Sequence, residues 1–172
     1  MKAVLLAGGL GTRMREETEF RPKPMVEIGG KPILWHIMKV LGTQGIKEFV
    51  ICAGYKGDQI KRYFFNYRLE NMDFTVHLSD SSRTVFHGSH SEADWTVTVV
   101  DTGPDTNTGG RLFAVREFLG EEPFLVTYGD GIADIKLEEL IAFHGSHGRA
   151  GTMTTAKPVS YTHLRAHETG RN

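Results

Sequence analysis

The sequence predicts an α/β protein: an open, mostly parallel sheet with helices on both faces. Three observations predict it. Short apolar runs at Lys2–Ala7, Glu48–Ala53 and Pro123–Tyr128 each stop at a glycine, as buried parallel strands do before a loop. Between them lie stretches whose apolar residues recur at helical spacing. The order, strand then helix then strand, is that of parallel units joined by crossovers. The 172 residues suffice for one sizeable core.

Each element has its own signal. Lys2 to Ala7 is short, continuous and apolar, so it reads as a buried strand. Lys31 to Leu41 reads as a helix, with Pro32 tolerated in its first turn and Ile33, Leu34, Ile37, Met38 and Leu41 on one face. Gly42 and Gly45 are expected to end it. Glu48 to Ala53 is a second strand, Gly54-Tyr55-Lys56-Gly57 a turn, and Asp58 to Tyr67 a helix. Phe74 to Leu78 reads as a strand. Asp80 to Asp94 is polar and without period, a loop or loose hairpin. Its His87 and His90 are three apart, a metal-compatible spacing that no further ligand pattern supports. Trp95 to Val100 alternates and reads as a strand. A turn-rich loop follows, then a helix from Thr108 or Gly109 to Leu119. Pro123 to Tyr128 is a strand, Leu137 to Phe143 a helix, and Ala150 to Thr155 a last strand. His144 and His147 sit at or beyond that helix's end, where imidazoles can meet free carbonyls.

Composition excludes several functions. Lys and Arg number 20 against 21 Asp and Glu, for a net charge of −1, so no basic surplus is present to hold nucleic acid or a membrane surface. One cysteine, Cys52, stands in an apolar run; a disulfide framework is excluded and a buried, inert thiol is expected. The first apolar run is short and leads straight into glycines, unlike a secretion signal, and no run is long enough to cross a bilayer. The cytoplasm is the default compartment.

The first strand runs into Gly8-Gly9-Leu10-Gly11-Thr12-Arg13. Glycines admit positive φ and close approach of a ligand to backbone N–H groups, and successive N–H groups make a concavity suited to phosphate oxygens. Arg13 adds a bidentate fork, and Lys23 a mobile charge between two prolines in Arg21-Pro22-Lys23-Pro24-Met25. The string is neither a P-loop nor a Rossmann fingerprint, because the spacing of its glycines fits neither. The pattern points to a loop that holds a triphosphate. A plain glycine turn with Arg13 in solvent is the alternative; the full string with Pro-Lys-Pro after a strand argues against it. At the end of the later strand, Gly129-Asp130-Gly131 places a carboxylate where open parallel sheets bind ligands. Asp130 is therefore a candidate Mg²⁺ ligand, with an ordinary Asp-Gly turn as its alternative.

These motifs, with Met25-Val26-Glu27-Ile28-Gly29-Gly30-Lys31-Pro32-Ile33-Leu34-Trp35-His36, Val100-Asp101-Thr102-Gly103, Thr108-Gly109-Gly110-Arg111-Leu112 and Thr127-Tyr128-Gly129-Asp130-Gly131, resemble the sugar-nucleotide pyrophosphorylase (nucleotidyltransferase) family. The resemblance spans roughly Met1 to Thr155. It implies a Rossmann-like, GT-A-like nucleotidyltransferase fold, incomplete at the C-terminus. It also implies a Mg²⁺-dependent reaction of CTP with glucose 1-phosphate to give CDP-glucose and pyrophosphate. By resemblance, Leu6, Ala7, Gly8, Gly9, Leu10 and Gly11 hold the base and triphosphate. Thr12 and Arg13 meet the leaving pyrophosphate, and Lys23 steadies the α-phosphate. Thr106 and Arg111 match nucleotide-binding positions; Gly129 lines the base or ribose pocket. Arg111 falls in a helix's first turn, near a dipole that favours anions. Asp130 holds the Mg²⁺, and full-length relatives assemble as homo-oligomers. Two alternatives stay open: a thymidylyl-, uridylyl- or guanylyltransferase, and a non-catalytic nucleotide-binding fragment.

Residues 1–157 read as the N-terminal part of the family domain. Residues 158–172 have no periodicity and no family likeness. They resemble a translated sequencing adapter and are expected to be disordered or loosely packed.

Overall fold

The computed structural model describes residues 1–9 and 20–155. Two compact units divide the chain, Met1–Asp134 and Ile135–Asn172. The expectation for residues 158–172 falls outside the described residues.

The first unit is built on a four-stranded, wholly parallel sheet. Its strands are β1 (Lys2–Ala7), β4 (Glu48–Ala53), β7 (Thr96–Asp101) and β8 (Phe124–Tyr128), in the order β7-β4-β1-β8. The chain steps outward from β1 through β4 to β7, then returns to the other side of β1 for β8. Strand order therefore reverses between β1 and β8.

The alternation of each strand decides what covers each face. On one face, Val4, Leu6, Val50 and Cys52 form a buried cluster with Val115 and Leu119. Those last two lie at and beyond α4 (Thr108–Ala114), in the stretch continued by α5 (Arg116–Leu119). On the other face, Leu5, Phe49 and Ile51 are fully buried, as are Leu34 and Met38 of α1 (Ile33–Thr43). Gly129 abuts Ala7 and Leu34 there, and Gly57, which opens α2 (Gly57–Phe65), abuts Ala53. Helices thus cover both faces, as the sequence implies. Each such Leu or Ile contributes on the order of 2 kcal/mol by leaving water.

Several boundaries differ from expectation. The helix expected from Lys31 begins at Ile33. Lys31–Pro32 form instead a short strand, β3, antiparallel to β2 (Glu27–Ile28), turned by Gly29 and Gly30 at φ 59° and 79°. Two successive positive-φ residues are what a tight hairpin needs, and glycine supplies both. Gly42 does not end α1 but lies inside it. The Trp95 indole lies 2.9 Å from where a Cβ would stand, so only glycine fits there. The chain leaves the helix at Gln44 and Gly45, the latter at φ 97°.

The helix expected over Asp58 to Tyr67 is split at Asn66 into α2 and α3 (Tyr67–Asn71). The strand expected at Phe74 to Leu78 is β5 (Asp73–His77), and it lies outside the parallel sheet. It pairs antiparallel with β6 (Asp80–His87), in the stretch expected to be a loop or loose hairpin. The two-residue connection after His77 is too short for a parallel crossover and allows only a hairpin. The helix expected from Thr108 to Leu119 is broken at Val115.

In the second unit, α6 (Leu137–His147) runs past Phe143 to include both histidines, and Gly148 at φ 62° ends it. His144 Nδ1 and His147 Nε2 share the Thr152 hydroxyl at 2.9 and 2.8 Å, rather than meeting helix carbonyls. Residues 150–155 form no strand.

Candidate nucleotide-binding site

Ligands of open parallel sheets bind beyond the strands' carboxyl ends, where strand order reverses. That place here lies between β1 and β8. The Gly129 amide donates to the Leu6 carbonyl at 3.0 Å and so sews the two strand ends together. A Cβ on Gly129 would meet Ala7, Leu34 and the Leu6 carbonyl at 3.3 Å. Its glycine is explained by this close approach of backbones. Above the junction opens a cleft of about 590 Å³. It is lined by Leu6, Ala7, Gly8 and Gly9 at the end of β1, by Lys23, Pro24, Tyr128 and Asp130, by the loop from Pro104 to Thr108, and by Arg111.

Lys23 reaches the cleft from a 3₁₀ turn, Lys23–Met25. Pro22 is fully buried at φ −67°, Pro24 and Met25 are buried, and the Met25 amide donates to the Pro22 carbonyl at 2.8 Å. The two prolines fix the backbone, so the ammonium leaves a rigid base. Lys23 Nζ lies 2.8 Å from Asp130 Oδ2, each side chain about one-third exposed (33% and 35%). The two groups that the sequence marks for opposite roles on a polyphosphate are thus in direct contact in the lining of the cleft.

Arg111 stands in the first turn of α4, as expected; that helix is capped by the Asn107 side chain, which accepts from the Gly110 amide at 2.8 Å. Its guanidinium does not project past the helix end. It turns under the strand ends, 5% exposed, and donates to five oxygens. Nη1 reaches Ala53 O (3.3 Å), Thr102 Oγ1 (2.6 Å) and Gly103 O (2.8 Å); Nη2 reaches Gly8 O (3.0 Å) and Pro104 O (3.1 Å). All five acceptors are neutral. Burial pushes the neighbouring Cys52 thiol up to about 11, an effect that the Arg111 charge partly offsets. Cys52 is fully buried, as its apolar run implied, and stays a protonated thiol.

Gly8 is buried and Gly9 exposed at the lip. Thr106 is half-buried in the lining of the cleft. Leu10, Gly11, Thr12 and Arg13 lie outside the described residues. Sequence reasoning missed Tyr128, Pro104 and Asp105 as cleft walls, and Thr102 as the buried hydroxyl between Ala53 O, to which it donates at 2.7 Å, and Arg111. No periodicity marks such residues; the turn-rich run from Asp101 to Thr108 was the available signal.

A larger groove, of about 730 Å³, lies between α2, α3 and β7. Its buried acid, Glu92, is already bound by Lys39 Nζ (2.6 Å), Ser91 Oγ (2.5 Å) and Tyr67 Oη (3.2 Å). It has no glycine loop and no free carboxylate pair. His87 bonds Thr75 in the β5–β6 hairpin, while His90 packs on the Tyr67 ring; no group of three or more metal-binding side chains occurs among the described residues.

A family model described as nucleotidyl transferase matches residues 2–164. The chain belongs to the nucleotidyl transferase family. Among curated relatives, the glucose-1-phosphate cytidylyltransferases of Salmonella typhimurium and Salmonella typhi are each 55% identical over 159 residues, covering 92% of this chain and 61% of the relative. A probable glucose-1-phosphate cytidylyltransferase of Bacillus subtilis is 46% identical over 160 residues. The chain thus spans about three-fifths of the length of these relatives. Solved nucleotidyltransferase structures share the fold. HddC from Yersinia pseudotuberculosis complexed with GMP-PN aligns with a TM-score of 0.59 at 25% identity, over 83% of this chain and 53% of that one. UTP-bound UGPase from Acinetobacter baumannii aligns with a TM-score of 0.62 at 21% identity, over 85% and 53%. The cleft described above sits where the Pro-Lys-Pro and Gly-Asp-Gly motifs meet. Among the described residues no helix is long and apolar enough to cross a membrane.

Proposed function

We propose that the chain carries the nucleotide half of a site that joins CTP to glucose 1-phosphate, releasing pyrophosphate. The observation that supports this most is the 2.8 Å meeting of Lys23 and Asp130 over the glycine-lined end of β1. The choice of CTP and glucose 1-phosphate follows the names of relatives at 55% and 46% identity.

The chemistry asks little of a covalent catalyst. A phosphate oxygen of the sugar phosphate forms a bond to the α-phosphorus of CTP, and the bond from that phosphorus to the bridging oxygen breaks. The electron pair leaves on pyrophosphate. Positioning and charge stabilisation supply most of the acceleration. Gly8 and Gly9 let the polyphosphate approach the backbone, Lys23 steadies the α-phosphate as charge builds, and Leu6, Ala7, Thr106 and Gly129 shape the base and ribose pocket. Leu10 and Gly11 join in holding the base and triphosphate, and Thr12 and Arg13 meet the leaving pyrophosphate.

Asp130 fits a Mg²⁺ site. Its carboxylate is accessible at the mouth of the cleft, and Mg²⁺ is commonly held by one or two carboxylates, substrate phosphates and water. The ion would neutralise charge on the phosphate oxygens. Lys23 meets this carboxylate at 2.8 Å, and its ammonium would turn to the phosphates of a bound nucleotide. The cytoplasm is the compartment of this reading.

Pyrophosphate release measured with CTP, UTP, dTTP and GTP, each with glucose 1-phosphate and Mg²⁺, tests the assignment. The reading expects CTP to lead by at least tenfold. Preference for another nucleotide moves the chain to a thymidylyl-, uridylyl- or guanylyltransferase reading. Tight CTP binding without pyrophosphate release makes it a nucleotide-binding fragment.

A further inference from the structure

We infer that Arg111 is a positioning residue that sets the width of the nucleotide cleft, by tying the backbone after β1 to the backbone after β4 and β7. The inference rests on the nucleotide-binding reading of that cleft and deepens it.

The contacts are distributed in a telling way. Gly8 O belongs to the loop after β1, Ala53 O to the end of β4, and Thr102, Gly103 and Pro104 to the segment after β7. A single planar group therefore holds the ends of three neighbouring strands. Two of the tied segments, at Gly8 and at Pro104, line the cleft. A guanidinium can span them because its donors diverge from a rigid plane; an ammonium on a flexible stem cannot.

Two glycines answer to this arrangement. A Cβ on Gly8 would land inside the Arg111 guanidinium. A Cβ on Gly54 would stand 2.7 Å from Arg111 Nη1 and from the Gly103 and Gly8 carbonyls. Neither residue has a φ that demands glycine. Gly8 and the first residue of the Gly54–Gly57 turn are thus glycines because the guanidinium lies over them. The first glycine of the phosphate loop and an arginine 103 residues later form one unit.

The test combines hydrogen exchange with calorimetry on the full chain and on Arg111→Lys, Arg111→Met, Gly8→Ala and the Gly8→Ala/Arg111→Met double variant. Arg111→Lys is expected to speed amide exchange in peptides covering residues 3–9 and 102–108 at least tenfold, with α1 unchanged, and to weaken CTP binding at least tenfold. Gly8→Ala is expected to do the same in the parent, but to cost at least fivefold less affinity once Arg111 is Met. Full restoration by Lys would show that charge alone is needed, and would overturn the inference. So would exchange that is unaltered at both loops, or losses for Gly8→Ala and Arg111→Met that simply multiply. If the parent fails to bind CTP while the loops still loosen and the stabilities of the Gly8 and Arg111 variants remain coupled, the anchoring stands and the nucleotide reading falls.

Discussion

In the proposed function Lys23 and Asp130 serve chemistry more than folding. The pair is one-third exposed, and exposed ion pairs contribute roughly 0–1 kcal/mol. Lys23→Ala should therefore melt within a few degrees of the parent, while pyrophosphate release falls on the order of 100-fold or more, as when one preorganised donor is removed. Asp130→Asn should likewise keep the fold and lose the Mg²⁺ dependence of nucleotide binding, read by titration with and without the ion. Glu92 is the contrary case, a residue that serves the fold. Burial raises its carboxyl pKa, but hydrogen bonds from Lys39, Ser91 and Tyr67 and the Lys39 charge outweigh this and hold it at about 2, against an ordinary 4.5. The folded value lies below the unfolded one. The stabilisation is thus full above about pH 4.5 and is lost as pH falls towards 2. Melting temperatures between pH 7 and 2.5 should drop more steeply below 4.5 in the parent than in Glu92→Gln.

At the scale of elements, the strands that carry the site were legible in the sequence and the connections were not. β1 and β4 fall at their expected bounds, because a continuous apolar run can be satisfied only inside a covered sheet. The errors arise where a distant side chain decides. Gly42 reads locally as a stop, yet the Trp95 ring, itself packed at a tilt 5.1 Å from Phe49, claims the space beside it. Gly42→Ala should gain about 1 kcal/mol of helix propensity but lose more to the collision with a ring that cannot move. Denaturant unfolding should show a net loss of about 1 kcal/mol in the parent, and a gain once Trp95 is replaced by leucine. The β5–β6 hairpin was half legible: Phe74 and Phe86 pair across it, but His87, Asp80 and the serines hid the alternation. The cleft itself was legible at Gly8, Lys23 and Asp130, each marked by a motif. The place of Arg111 beneath the loops was not, because a helix's first turn says nothing of where a long side chain ends.

For the whole molecule, the order of the strands does what no single motif can. Residues from positions 8, 23, 111 and 130 meet because β8 returns to the free side of β1, while β4 and β7 occupy the other. The site is a consequence of that topology, and its charge is local in a chain that is nearly neutral. β8 leaves Phe124, Val126 and Tyr128 between 39% and 61% exposed, which suits association with further protein surface. The homo-oligomers that family likeness implies are thus a proposal that sedimentation equilibrium would check, with a mass above the monomer as the expected result. In the proposed function the glycine-lined end of β1, with Lys23 against Asp130, grips a nucleotide's polyphosphate. Calorimetric titration of CTP, CMP and pyrophosphate into the parent and Lys23→Ala tests it most directly. CTP should bind the parent at least tenfold more tightly than CMP, pyrophosphate should compete with it, and most of the difference should vanish without the ammonium. Equal affinity for CTP and CMP, unaltered by Lys23→Ala, would contradict it.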